Sequence, residues 1–113
     1  MNFFHWLTDG FSDRGKAMAL YKRGMAKAKQ HDRQGAIDDY SAVAAMRVPV
    51  EVRAMAIYNR ALVHIAVKDD PKAIDDLNMV LGMKGMKETL SNIKTEARRR
   101  LVRIDRRSNT SSA

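Results

Sequence analysis

The chain contains two copies of one pattern. Laid over itself at an offset of 37 residues, the segment from Leu20 to Val43 matches the segment from Ile57 to Val80 at eight of 24 positions. Six of the eight identities fall in two groups. Tyr21 and Arg23 recur as Tyr58 and Arg60, and Ala36-Ile37-Asp38-Asp39 recurs as Ala73-Ile74-Asp75-Asp76. A period in this range marks a small supersecondary unit that buries its apolar face by stacking on its neighbour.

Each group lies on sequence that favours a helix. From Ser12 to Gln30 there is no proline, and Ala, Met, Leu, Lys and Arg dominate, which predicts a long helix capped near Ser12 or Asp13. A second helix is predicted to start at Asp32. Pro49 suits the first turn of a third helix running to about Val67, and Asp70-Pro71 reads as an N-cap acid followed by proline at the first position of a fourth. Gly82 and Gly85 punctuate its end. Gly24 with Ala36, and Ala61 with Ala73, place small residues where paired helices must approach closely. Between Lys84 and Arg107, Leu90, Ile93, Ala97, Leu101 and Ile104 form a stripe at helical spacing. This predicts a basic helix that caps the second unit. The expected organisation is an aromatic segment over 1–12, repeats over 13–47 and 48–83, the capping helix over 84–107 and a disordered tail over 108–113. The fold class is all-α, with about five main helices.

Tyr-Lys-Arg-Gly at 21–24 and Tyr-Asn-Arg-Ala at 58–61, with Ala-Ile-Asp-Asp-Tyr at 36–40 and Ala-Ile-Asp-Asp-Leu at 73–77, resemble the tetratricopeptide repeat. The resemblance covers about residues 17 to 82. That family's unit is about 34 residues long, so the offset implies extra residues, most naturally around Met46 to Pro49. The usual tryptophan of the first helix is Leu20 and Ile57 here, and the aromatic near its end is Lys27 and His64. The resemblance implies a right-handed superhelix of helical hairpins that acts as a scaffold or adaptor and binds a peptide or protein. Its concave face, lined by first helices, would carry Met18, Tyr21, Lys22, Met25 and Lys29, then Met55, Tyr58, Asn59, Leu62 and Ile65. Asn59 matches an asparagine that hydrogen-bonds a peptide backbone in clamp-type members. The other clamp positions, in the first repeat, are Tyr21 and Met25, which argues against a carboxylate clamp.

Several other chemistries find no support. There is no cysteine, so disulfides, thiolate metal sites and cysteine nucleophiles are excluded. The carboxylate pairs Asp38-Asp39, Asp69-Asp70 and Asp75-Asp76 are neighbours on helices, pointing about 100° apart, so neither pair member joins the other on one ion. His5, His31 and His64 are scattered. Arg23 with Asp39 and Arg60 with Asp76, each sixteen residues apart, read as structural ion pairs between the helices of a hairpin. No enzyme activity, cofactor or metal is expected. No stretch approaches the roughly 20 apolar residues of a membrane span, and a cytoplasmic protein is the expectation.

Two edges stand apart from the repeat. Phe3, Phe4, Trp6 and Phe11 crowd the start of the chain, as a segment that packs on the first hairpin, docks on a partner or second copy, or anchors at a membrane surface. The net charge is +8, and nine basic residues against Glu88, Glu96 and Asp105 put +6 of it between Lys84 and Arg107. Arg98, Arg99 and Arg100 are candidate docking residues for acidic proteins or nucleic acid, although no interleaved aromatics offer a base-stacking surface. Two hairpins fall short of the three or so repeats that usually make a stable array, so self-association as a homodimer is a further expectation. The function expected is a non-enzymatic protein-interaction module. The alternatives are a nucleic-acid-associated protein and a peripheral membrane adaptor.

Overall fold

A computed structural model describes residues 13–112, and within them the chain is all-α. Its helices are α1 (Asp13–Lys29), α2 (Arg33–Ala44), α3 (Val50–Ala66), α4 (Asp70–Leu81) and α5 (Glu88–Ser112). The aromatic segment with Phe3, Phe4, Trp6 and Phe11 lies outside the described residues.

The turns after α1 and α3 are built alike. His31 and Lys68 both take φ of 63°, the left-handed conformation that ends a helix. In the first turn the His31 N–H donates to the Ala28 carbonyl at 3.1 Å and the Asp32 N–H to the Lys27 carbonyl at 2.8 Å. In the second the Lys68 N–H donates to the Ile65 carbonyl at 3.0 Å and the Asp69 N–H to the His64 carbonyl at 2.8 Å. The same aspartate then opens the next helix. Asp32 accepts from the Gly35 N–H at 3.0 Å, and Asp69 accepts from the Lys72 N–H at 3.3 Å. One residue thus closes one helix through its backbone and caps the next through its carboxylate. Asp69 is the N-cap of α4, correcting the sequence expectation of Asp70; the proline falls one position deeper in the first turn. The signal was present in the repeat, since Asp32 and Asp69 are themselves one of the matched pairs.

The α2–α3 connection is longer, running from Ala45 to Pro49. Pro49 is the N-cap of α3, outside the first turn, with φ −52° and ψ 147°. Between α4 and α5, Gly85 lets the connection run close to the body. A Cβ there would lie 3.0 Å from both Leu90 Cδ2 and Val50 Cγ1.

Burial recurs at the same offset as the sequence. Ala17 and Ala54, Ala36 and Ala73, Tyr40 and Leu77, and Val43 and Val80 are all buried pairs 37 residues apart. Gly24 and Ala61 continue the series. Gly24 is required by its partner, because a Cβ would sit 2.8 Å from Tyr40 Cε1, whereas repeat two faces Ala61 with the slimmer Leu77. Two apolar clusters result. The first joins Ala17, Ala36, Tyr40 and Val43 to Val52, Ala56 and Val63 of α3, and the second joins Ile57 and Ala61 of α3 to Ala73, Leu77, Val80, Ala97 and Ile104. Because α3 feeds both clusters, it is the central helix of the fold.

The last helix packs on α3 and α4, as α3 itself packs on α1 and α2. Leu90, Ala97 and Ile104 are buried, and Ile93 and Leu101 pack against the second cluster. The helix begins at Glu88, later than the expected Lys84, and runs to Ser112 instead of ending at Arg107. The stretch from Ser108 to Ser112, expected to be disordered, is therefore helical. Thr110 Oγ1 donates to the Arg106 carbonyl at 2.8 Å and Asn109 Nδ2 to Asp105 at 3.5 Å, tying this end to the preceding turn.

Candidate functional site

Within each hairpin an arginine of the first helix closes on an aspartate of the second. Arg23 Nε and Nη2 donate to Asp39 Oδ2 and Oδ1 at 2.9 and 2.8 Å, and Arg60 Nε and Nη2 donate to Asp76 Oδ2 and Oδ1 at 2.9 and 2.7 Å. Such forked pairs are the strongest ionic contacts that side chains make. A second basic residue sits at each aspartate, again at matching positions. Lys27 Nζ is 3.3 Å from Asp39, and His64 Nε2 is 3.7 Å from Asp76. These are the two places where the tetratricopeptide pattern expects an aromatic.

The surroundings differ between the copies. The Arg23 side chain is 60% exposed, whereas Arg60 is 18% exposed and also donates from Nη1 to Ser41 Oγ at 2.9 Å, joining α3 to α2. The Arg23 guanidinium holds the Asp39 carboxylate below its usual range. Burial pushes the His64 imidazole down, against the upward pull of Asp76, so it is neutral near pH 7. These clusters tie helices together, and in the second copy Arg60, His64 and Asp76 also line a shallow cleft of about 260 Å³ with Ser41, Lys72 and Asp75.

The expected partner face is divided by the structure. Asn59 Nδ2 donates to Tyr21 Oη at 2.9 Å and to the Met55 carbonyl at 2.8 Å. Both donors of its amide are used within the chain, which leaves Oδ1 to accept from a partner. Tyr21 also packs against Tyr40, with ring centroids 5.9 Å apart. Met18 packs on the first apolar cluster and Tyr58 on the second. Met55 and Leu62 are half-buried, while Lys22, Met25 and Lys29 are exposed. Asn59 and Leu62 line a groove of about 300 Å³ together with Ala28, His31, Tyr40 and Ala66.

A second cleft, of about 360 Å³, lies between α3 and α5. Its floor is Ile65 and Ile104, and its rim is Arg100, Arg103, Arg106 and Arg107. Arg107 donates to Asp70 Oδ1 at 3.4 Å, tying the rim to the first turn of α4. Of the three arginines singled out in the sequence, Arg100 joins this cleft. Arg98 and Arg99 lie on the adjoining outer face of α5 beside Val102, and Arg99 pairs with Glu96 one turn back. The sequence pattern marked the arginines but not Ile65 as their neighbour, because a contact between α3 and α5 has no local signature.

One further contact escaped the sequence reading. Glu51, in the first turn of α3, is 9% exposed at its side chain and lies 3.1 Å from Lys87 Nζ in the α4–α5 connection. Its own backbone N–H and Lys87 hold the carboxylate below its usual range. Among the described residues no cluster of His, Asp and Glu is arranged to hold a metal ion, and no helix is long and apolar enough to cross a membrane. No known family, curated protein or solved structure matches this chain.

Proposed function

We propose that this chain is a non-enzymatic protein-interaction module of tetratricopeptide type: two helical hairpins in a right-handed superhelix, with α5 as the cap. The recurrence of one hairpin design supports the architectural part. The left-handed turn residue, the shared capping aspartate, the forked ion pair and the buried small residues all repeat at an offset of 37 residues. Independent selection of four such features at one spacing has no simple local cause.

The binding part of the reading is carried by the groove that α1 and α3 border. Met25 is 37% exposed, and Leu62 is half-buried on the wall of that groove. Soft apolar side chains beside Lys22 and Lys29 suit a peptide or helix with apolar anchors. In this reading Met18, Tyr21, Met55 and Asn59 hold the two first helices in register, Tyr58 packs on the second cluster, and Met25, Leu62, Lys22 and Lys29 meet the partner. The cell interior is the proposed setting. Because α5 closes the second apolar cluster, the second hairpin needs no second copy to complete its core.

Affinity capture from the native cell tests the proposal, using the full chain and a Met25→Glu/Leu62→Glu variant whose helicity is checked by circular dichroism. The full chain should retain a defined protein that the variant loses. Equal retention by both would overturn the assigned face. Retention of nothing would overturn the module reading.

A further inference from the structure

The cleft between α3 and α5 combines two features seldom found together on a merely solvated helix. Ile104 is 2% exposed and Ile65 is half-buried, so the floor is apolar. Arg100, Arg103, Ile104 and Arg107 fall at spacings of three and four, which puts them on one face of α5. Arg107 is held by Asp70, but Arg100, Arg103 and Arg106 have no acidic partner among the described residues. The cation row continues onto the outer face of α5, where Arg98, Arg103 and Arg106 surround Val102, which is 48% exposed. Three unneutralised guanidinium groups over an apolar floor form a site whose charge and surface call for one kind of occupant.

We propose that this cleft binds an acidic segment of a partner protein that carries an apolar anchor residue. The inference rests on the interaction-module reading and names the chemistry of the partner. Carboxylates on the segment meet Arg100, Arg103 and Arg106 as forked pairs of the kind seen in each hairpin, and the anchor lies on Ile65 and Ile104. The pair formed by Arg107 and Asp70 shows a carboxylate already seated on this rim. A nucleic acid would satisfy the charges but leave the floor uncovered, and the cleft lining offers no aromatic side chain on which a base would stack. A second copy carries the same net charge of +8, which opposes its docking on this cationic rim.

The test is a titration of the full chain by fluorescence anisotropy with three labelled probes at one low and one near-physiological salt concentration. The first is a Glu/Asp-rich peptide bearing two leucines four residues apart. The second is its twin with serines for the leucines, and the third is an oligouridylate of equal charge. The leucine peptide should bind about tenfold or more tighter than the serine twin, a difference of about 1.4 kcal/mol, and tighter than the oligouridylate at both salts. Arg100→Gln/Arg103→Gln, both outside the apolar core, should weaken it at least about tenfold with helicity unchanged. Ile65→Ser should erase the preference for leucine over serine. Equal binding of the two peptides, tighter binding of the oligouridylate, or no binding at low salt would each overturn the proposal. Loss of this site alone would leave the capture result at the Met25 and Leu62 face intact, so the two readings fail separately.

Discussion

Replacing Arg60 by glutamine should destabilise the fold far more than the same change at Arg23, although the two arginines occupy equivalent places. Arg60 makes three hydrogen bonds, two to Asp76 and one to Ser41, and its loss strands a carboxylate that is 6% exposed. Breaking a buried pair by removing one partner costs about 3–5 kcal/mol. The partial exposure of Arg60 lowers this, so roughly 2–4 kcal/mol is expected. For a chain of this length that corresponds to about 8–16 °C in Tm. At Arg23 the side chain is 60% exposed and Lys27 remains 3.3 Å from Asp39, so the carboxylate keeps a cation and the shift should be small.

The two variants should also differ in pH dependence. In the native chain the His64 pKa is lowered, chiefly by burial, so stability from this group is present above its ordinary value of 6.5 and is lost as pH falls through the folded value. Arg60 contributes to that lowering, and without it the His64 pKa moves up. A protonated His64 then faces the stranded Asp76. The stability gap between the native chain and Arg60→Gln should therefore narrow from pH 8 to pH 5.5, while the gap for Arg23→Gln should not. Thermal melts followed by circular dichroism across that range decide it. Equal Tm losses for the two variants, or a gap that widens in acid, would refute the reasoning.

Three other perturbations read out the repeat directly. Gly24→Ala should lower Tm, because the collision with Tyr40 costs about 1–3 kcal/mol against a helix-propensity gain of about 1 kcal/mol; adding Tyr40→Leu, which copies the facing residue of the second repeat, should recover part of the loss in a double-mutant cycle. His31→Gly and Lys68→Gly should each stabilise by about 0.5–1 kcal/mol in urea titrations, since both residues sit at φ of 63° where glycine is unstrained. The Tyr40 hydroxyl is pushed up to about 12, chiefly by burial, so stability should fall as pH rises above 10.0, and the latest tyrosine ionisation seen at 295 nm should vanish in Tyr40→Phe.

Much of the fold was legible because its determinants are local or repeat. Runs without proline, capping acids and the stripe from Leu90 to Ile104 mark helices without reference to anything distant. The matched Ala-Ile-Asp-Asp segments mark two copies. The N-cap of α4 was misplaced because Asp69 and Asp70 both precede Pro71, and only the register with Asp32 distinguishes them. The tail was read as disordered from its composition of Ser, Asn and Thr, which undervalues side chains that bond back onto the preceding turn. The partner face was less legible still. A sequence position says that Asn59 lies on a first helix, but not that Tyr21 and Met55 consume both of its donors. Likewise the arginines of α5 read as a charge run, and the apolar floor beneath them depends on Ile65, far away in the chain.

The central claim is that the chain binds a protein through the face bordered by α1 and α3. Hydrogen–deuterium exchange of the full chain, alone and with its captured partner, tests this most directly. The account predicts added protection within residues 18–29 and 55–66. Protection confined to α2 and α4, or no change anywhere, would contradict it.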